Sequence, residues 1–157
     1  MSTTGDENGF TREQLELTQL QTDAITRRLA DNPVVQFMGI RLLEVVAGRA
    51  TLMLPFRKEL FNSMGSVQGG VLGILGDVAG GVSLYSVLAD PSAAAIPTIE
   101  FKLNFLRPVR NNAVFARGKV AFRGGRIAVC HVDICTETDT LLAIGIFTYM
   151  VKTARSK

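Results

Sequence analysis

Apolar residues in the second half of the chain recur with the period of a β-strand. In residues 99–105, Ile99, Phe101, Leu103 and Phe105 alternate with polar residues, the pattern of a half-buried strand. Two further strands, 113–123 and 126–136, flank Gly124-Gly125, which is a hairpin turn signal. A last strand follows at 141–151. The second half therefore predicts four antiparallel strands.

The first half begins with helical and hairpin signals. Thr11 and Gln14 have the spacing of a capping box and predict a helix that continues to about Ala30, before Pro33. A predicted hairpin follows, with strands at 40–46 and 49–54 that turn at Ala47-Gly48.

The stretch GGVLGILGDVAGGVSLYSVLA, residues 69–89, is apolar apart from the carboxylate of Asp77. Its length satisfies the rule for a bilayer-spanning helix. However, its flanks are Gln68 and Asp90, with no basic residues, and strands rather than further apolar spans follow. The pattern favours a helix buried inside a soluble protein over a membrane span.

Two unlike faces are predicted for this helix. One is an apolar stripe expected to pack on a sheet: Val71, Leu75, Val78, Val82 and Tyr85. The other carries Gly70, Gly73, Asp77, Gly80, Gly81 and Leu84. Glycine inside a helix costs roughly 1 kcal/mol relative to alanine, so this face predicts the close approach of another backbone. Asp77 is then either a structural carboxylate paired with arginine or hydroxyl groups, or a catalytic carboxylate.

The 157 residues fit one α+β domain, in which a curved antiparallel sheet of about six strands wraps the long helix. The net charge is +3, but residues 91–157 hold 10 Lys/Arg against 4 Asp/Glu, a balance of +6. This excess of positive charge is compatible with binding a phosphate-bearing ligand, and it is equally compatible with basic side chains that are simply exposed to solvent. Nucleic acid is disfavoured as a partner, because the chain has no Trp and only two Tyr for base stacking.

Cys130 and Cys135 are expected to point to opposite faces of a strand and to stay unpaired. Reduced thiols favour a cytoplasmic location for the protein.

Several of these residues together resemble a known enzyme class. The series consists of Asn62, Gln68-Gly69-Gly70, Asp77, Thr98 and the strand ending Asn104-Phe105-Leu106-Arg107-Pro108. It is similar to the phenylacetic-acid-degradation (PaaI-like) class of hotdog-fold acyl-CoA thioesterases, over roughly residues 32–152. The resemblance implies a hotdog domain, assigned here to residues 11–157 after a disordered tail at 1–10, that assembles as a homodimer or homotetramer.

The resemblance also implies roles for individual residues. Asp77 would act as the nucleophile or as the general base on water, and the backbone N–H of Gly69 would donate to the thioester oxyanion. Asn62 would help to hold the carbonyl, and Thr98 would orient the water. Gln68 and Gly70 would contact the substrate. No metal and no cofactor is expected, because coenzyme A is part of the substrate.

Helix geometry makes a separate prediction about assembly. Gly69 and Asp77 are eight residues apart, about 12 Å along one helix, so one carbonyl cannot contact both. Two such helices related by a two-fold axis would place Asp77 of one chain beside Gly69 of the other. A dimer is therefore the smallest active unit expected.

One residue departs from the family pattern, which usually has histidine in place of Gln68. The only histidine, His131, is expected to be a structural strand residue. This departure keeps open the alternative of a non-catalytic acyl-thioester-binding or scaffold protein, and it argues against a hydratase, which needs a histidine beside its acid.

The coenzyme phosphates are expected near Arg107, Arg123 and Arg126. An aryl or medium-chain acyl group is expected among Phe61, Met64, Leu72 and Leu84.

Overall fold

The computed structural model describes residues 16–153. Helix α1 spans Gln19–Ala30. The Thr18 hydroxyl accepts a hydrogen bond from the Gln21 N–H at 3.2 Å, and the Gln21 side chain accepts one from the Thr18 N–H at 2.9 Å. This is a capping box. The predicted box at Thr11 and Gln14, and the tail at 1–10, lie outside the described residues.

A second, short helix was not predicted. Helix α2 spans Pro33–Met38, and the Asn32 side chain caps it by accepting from the Val34 and Val35 N–H groups. Proline fits the first helical position because that N–H has no intrahelical partner. The helix ends at Gly39, whose φ of 70° lies in the left-handed region. Pro33 therefore begins a helix as well as following the end of one.

In the part of the chain that the structure describes, six strands form one antiparallel sheet; numbered in chain order with the ranges given next, they lie side by side as β1-β2-β5-β6-β7-β4. The strands are β1 Arg41–Val46, β2 Arg49–Leu54, β4 Thr98–Phe105, β5 Val114–Arg123, β6 Ile127–Cys135 and β7 Leu141–Met150. A two-residue ladder joins β3, Ala94–Ala95, to β8, Lys152–Thr153. Both predicted hairpins and the last predicted strand are confirmed. A short 3₁₀ turn, Lys58–Leu60, precedes the long helix.

The long helix α3 spans Gly69–Tyr85 and contacts all six strands of the sheet. Its residues Leu75 and Leu84 are fully buried in the core between helix and sheet. This is the predicted arrangement of one apolar helix enclosed by an antiparallel sheet. Among residues 16–153, no helix has both the length and the apolar character that crossing a membrane requires.

The predicted division of α3 into two faces is partly wrong. Four small residues, Gly69, Gly73, Gly76 and Gly80, face the aromatic rings of Phe105, Phe101, Phe147 and Tyr149 respectively. At these four positions glycine makes room for rings of the chain's own sheet. The predicted approach of another backbone to the glycine face stays a prediction. In the predicted apolar stripe, only Leu75 and Val82 are buried. Leu84, assigned to the glycine face, is fully buried.

One prediction about strand burial needs correction, whereas the prediction of unpaired cysteines does not. Strand β4 lies at the sheet edge, and its apolar residues Ile99, Phe101 and Phe105 remain 50%, 51% and 58% exposed in the single chain, so the strand is not half-buried. Cys130 and Cys135 are both free and both buried. Cys130 Sγ donates to the Gly80 carbonyl of the long helix, whereas Cys135 Sγ donates to the Phe115 carbonyl and lies near the charges of Arg117 and Asp133, so the two thiols are unpaired and differently placed, as predicted.

Candidate active site

The carboxylate of Asp77 is held by a hydroxyl of the edge strand. The Thr98 hydroxyl donates to Asp77 Oδ1 at 2.7 Å. Asp77 lies at the middle of α3 and is half-buried, whereas Thr98, the first residue of β4, is exposed. The structure therefore brings together two of the predicted catalytic residues, and it gives the acid a hydroxyl partner rather than an arginine.

A second hydroxyl, which the sequence did not single out, reaches the same turn of α3. The Tyr149 hydroxyl donates to the backbone carbonyl of Asp77 at 2.8 Å, and the Gly81 N–H lies within its hydrogen-bonding reach. An α-helix pairs these two backbone groups with each other. A Cβ at Gly80 would overlap the Tyr149 oxygen, so glycine there admits the hydroxyl to the helix backbone.

Sheet register explains why both hydroxyls meet at Asp77. Thr98 and Tyr149 are direct partners in the β4–β7 pairing. Burial is the largest cause that raises the pKa of Tyr149, and the charge of Asp77 raises it further. Tyr149 is therefore a neutral hydrogen-bond donor throughout the neutral and moderately alkaline range. The sequence signal for this residue was only its position in a strand.

Free backbone donors lie at the start of the same helix. The first N–H groups of an α-helix have no intrahelical acceptor. Among the described residues, the N–H groups of Gly69 and Gly70 have no hydrogen-bond partner, whereas the Val71 N–H donates to the Gln68 carbonyl at 2.9 Å. Since a helix N-terminus also carries partial positive charge, these two amides suit a developing oxyanion.

Asn62 shapes the loop that leads into these amides. Its Oδ1 accepts from the N–H groups of Met64 and Ser66, and its Nδ2 donates to the Ser66 hydroxyl at 3.1 Å. Gly65, with φ of 73°, allows the turn between them. Gln68 is the N-cap residue of α3, but its exposed side chain makes no capping bond. Asn62 is therefore fixed near the helix start, and the Gln68 side chain is open to a ligand.

One chain thus holds the predicted site in two halves. Asp77 and Thr98 form an acid half, and Asn62 and Gly69 form an amide half. Both halves lie on or beside α3, eight residues apart in the helix, which corresponds to about 12 Å. The single chain does not bring the four residues to one point.

A pocket of about 200 Å³ opens beside Asp77, between α1 and α3. Its apolar lining consists of Ile25, Leu29, Val78, Val82 and Ile96, and its polar lining includes Arg28, Asn32, Tyr85 and Tyr149. None of the residues predicted to line an acyl pocket is part of it. Leu72 and Leu84 are buried in the core, Phe61 is half-buried, and Met64 is 78% exposed. The sequence missed this pocket because α1 and α3 are distant along the chain.

The three arginines predicted at the coenzyme phosphates are not brought together within one chain. Arg107 donates to the carbonyl of Leu141, at the start of β7, at 2.7 Å. Arg123 and Arg126 lie at the β5–β6 turn, where the Arg126 carbonyl accepts from Val151, just past the end of β7. The ten residues of β7 span about 33 Å, so Arg107 lies at the end of the sheet opposite to Arg123 and Arg126.

His131 lies in β6, as predicted for a strand residue, and its side chain is exposed.

Comparisons with known proteins agree with this architecture. The family model described as "Thioesterase superfamily" matches residues 64–143. A protein of Halobacterium salinarum with the name "Putative esterase" is 31% identical over 113 residues, covering 70% of this chain and 74% of that protein. A Haemophilus influenzae protein of the same name is 27% identical over 124 residues, covering 79% and 88%.

Solved structures show the same fold. A thioesterase family protein from Silicibacter pomeroyi superposes with a TM-score of 0.79 at 24% identity, covering 85% of this chain and 99% of that one. The PaaI protein from the phenylacetic acid degradation operon of E. coli gives 0.77 at 18% identity, covering 86% and 95%. With the family match over half of the chain and the Halobacterium relative, these findings identify the chain as a member of the thioesterase superfamily, a thioester hydrolase with the hotdog fold.

Proposed function

We propose that the protein is a PaaI-like acyl-CoA thioesterase that hydrolyses an aryl or medium-chain acyl-CoA to the free acid and coenzyme A. The observation that carries the proposal is the hydrogen bond from Thr98 to Asp77 beside a pocket that is partly lined by aliphatic side chains. A carboxylate so placed has one oxygen fixed and the other available for chemistry. The pocket provides an apolar surface for the acyl group next to it.

The proposed reaction needs only water and the protein groups that two copies of this chain supply. As general base, Asp77 removes a proton from water while the water oxygen attacks the thioester carbonyl carbon. As nucleophile, it attacks the carbon itself, and water then hydrolyses the anhydride. In both routes the carbon–sulfur bond breaks and the thiolate of coenzyme A leaves. The Gly69 N–H donates to the oxyanion in either case, and Thr98 keeps the carboxylate oriented.

The two halves of the site are proposed to meet across a homodimer interface. Among residues 16–153, strand β4 pairs with β7 alone and forms an edge of the sheet, and Ile99, Phe101 and Phe105 expose about half of their surfaces. An unpaired apolar edge favours pairing with a second copy. A two-fold axis there sets Asp77 and Thr98 of one chain against Asn62 and Gly69 of the other. Pairing of two dimers into a homotetramer is proposed from the family resemblance.

The same two-fold arrangement suits the coenzyme phosphates. Arg107 lies at the amide end of one chain, and Arg123 and Arg126 lie beyond the acid end. Antiparallel pairing brings the acid end of one chain to the amide end of the other. We therefore assign the phosphates to Arg107 of one chain with Arg123 and Arg126 of its mate. Gln68 and Gly70, open at the helix start, contact the thioester portion.

Release of free thiol from a panel of acyl-CoAs tests the proposal. The wild type is expected to turn over phenylacetyl-CoA or hexanoyl-CoA, and Asp77→Asn is expected to reduce kcat by at least about a thousandfold, because the isosteric amide has no basic oxygen. Thr98→Ser, which keeps the hydroxyl, is the matched control and is expected to retain most of the activity. Asp77→Asn with undiminished turnover contradicts the proposal.

Gln68 favours one alternative, a non-catalytic acyl-thioester-binding or scaffold protein. Glutamine donates a hydrogen bond but carries no charge and transfers no proton. Tight acyl-CoA binding without thiol release in the same panel identifies this alternative.

The proposed location of the protein is the cytoplasm, since the free, buried thiols of Cys130 and Cys135 are compatible with a reducing compartment.

A further inference from the structure

We infer that Arg28 and Tyr85 close the far end of the pocket beside Asp77, so that the enzyme favours acyl groups about the size of one aromatic ring over long aliphatic chains. The inference rests on the proposed function, because it takes this pocket as the acyl site. It adds Arg28, which lies in α1 outside the family match over residues 64–143, and Tyr85, which the sequence motif does not include.

The pocket follows one face of α3 away from the acid. Asp77, Gly81 and Tyr85 are spaced four residues apart, so they lie on the same side of the helix, and all three line the pocket. The eight-residue separation places Tyr85 about 12 Å along the axis from Asp77. An acyl group whose carbonyl is at Asp77 therefore extends towards the Tyr85 ring.

Arg28 and Tyr85 form a fixed pair at that end. The Arg28 guanidinium carbon lies 4.3 Å from the centroid of the Tyr85 ring. The same guanidinium donates to the Pro91 carbonyl at 2.9 Å and to the Ala94 carbonyl. A stacked guanidinium that is also held by two carbonyls has little freedom to move aside. The pair is thus a wall and not a mobile surface arginine.

A larger groove lies on the other side of this wall. The groove measures about 680 Å³ and is lined by Arg27, Asp31 and Ser92, together with Arg28, Asn32 and Tyr85. The last three residues also line the pocket beside Asp77. Residues that line both spaces form the partition between them. Removing part of the partition joins the acyl pocket to the groove.

Volume sets the acyl size. A cavity of about 150 Å³ holds a benzene molecule. The pocket of about 200 Å³ therefore holds one ring with a short linker, or a short aliphatic chain of similar volume. Longer chains meet the Arg28–Tyr85 wall before their terminal carbons are buried.

Chain-length profiles of partition variants test the inference. For wild type, kcat/KM is expected to be higher with phenylacetyl-CoA and hexanoyl-CoA than with decanoyl-CoA and palmitoyl-CoA. Arg28→Ala is expected to raise the decanoyl-to-hexanoyl ratio about tenfold, the gain from burying roughly two more methylenes. Tyr85→Leu, which removes the ring and keeps Arg28, is expected to raise the ratio in the same direction.

Two controls separate an opened wall from a loosened helix. Arg28→Met loses the stacked guanidinium and its carbonyl bonds but keeps part of the side-chain volume, so it is expected to raise the ratio less than Arg28→Ala does. Arg27→Ala removes the neighbouring arginine, which lines only the outer groove, and is expected to leave the profile unchanged. An equal rise in Arg28→Met and Arg28→Ala, or a wild type that prefers palmitoyl-CoA, overturns the inference.

Failure of the proposed function gives a different result. If no acyl-CoA is hydrolysed, titration calorimetry with the same four acyl-CoAs measures the length dependence of binding instead. Wild-type affinity that stops increasing beyond hexanoyl-CoA, and continues to increase to decanoyl-CoA in Arg28→Ala, still supports the partition. Identical length dependence in both proteins overturns it.

Discussion

Tyr149 bears on catalysis through the backbone of the acid rather than through its carboxylate. Its hydroxyl donates to the Asp77 carbonyl at 2.8 Å, and burial keeps that hydroxyl protonated by raising its pKa. The helical turn that carries Asp77 is therefore fixed from the sheet side, as Thr98 fixes its carboxylate. Small displacements of a catalytic group cost rate because productive geometry is narrow.

Tyr149→Phe is expected to lower kcat about tenfold with KM changed less than about twofold, because a hydrogen bond of roughly 1 kcal/mol is lost and the binding surfaces stay. Steady-state kinetics across pH measures this. The shape of the kcat profile at neutral and moderately alkaline pH is expected to be the same in the variant as in the wild type, since a hydroxyl with a raised pKa does not titrate there. A variant that is less stable to urea but has wild-type kcat assigns Tyr149 to folding alone.

Close contact between α3 and the sheet makes single glycines of the helix decisive for stability. A Cβ at Gly76 would lie 2.5 Å from Phe147 Cζ, and the Phe147 ring is fully buried and stacked on Phe101. A fully buried ring can move aside only by displacing the side chains packed around it. At Gly70, by contrast, an added Cβ meets nothing within 4 Å.

Gly76→Ala is accordingly expected to lower the free energy of unfolding by roughly 1–3 kcal/mol through overpacking. Gly70→Ala, on the same helix, is expected to leave it unchanged or raise it by up to about 1 kcal/mol, because alanine restricts the unfolded chain. Urea denaturation of both variants measures the difference. Equal effects at the two positions would show that helix propensity, and not the Phe147 contact, decides the outcome.

The elements of this fold differ in how far the sequence predicts them. Strands β4 to β7 follow from the two-residue period and the Gly124-Gly125 turn, which are local signals. Which face of α3 is buried does not follow from a local signal. On a helix that is apolar all round, the buried face depends on which rings of the sheet approach it. Helix α2 is missed because six residues are too few to show a helical period.

Site residues divide in the same way. Asp77 stands out as a lone charge in an apolar stretch, and the sequence motif pairs it with Thr98, a contact that the structure contains. Tyr149 has no such signal, since its contact depends on the β4–β7 register, which includes a shift between Thr98 and Glu100. Arg28 comes from a separate helix. Long-range contacts of this kind are set by the fold and not by local pattern.

At the scale of the whole molecule, the division of the site between two chains makes a prediction that a single-chain site does not. Gly69→Pro removes the proposed oxyanion N–H, and proline is tolerated at the first helical position. Gly69→Ala is its matched control, because it adds a Cβ towards Phe105 but keeps the N–H. Gly69→Pro alone and Asp77→Asn alone are each expected to be nearly inactive, whereas Gly69→Ala keeps substantial activity.

When the two inactive variants are unfolded together and refolded as a mixture, random pairing makes about half of the dimers mixed. In each mixed dimer, one site combines the intact Asp77 of the Gly69→Pro chain with the intact Gly69 of the Asp77→Asn chain. About a quarter of the wild-type rate should therefore return, measured as thiol release, with light scattering to verify that dimers have formed. If both groups act within one chain, every site in the mixture lacks one of them and no activity returns. A mixture that stays inactive while dimeric would thus place the acid and the amide in the same subunit.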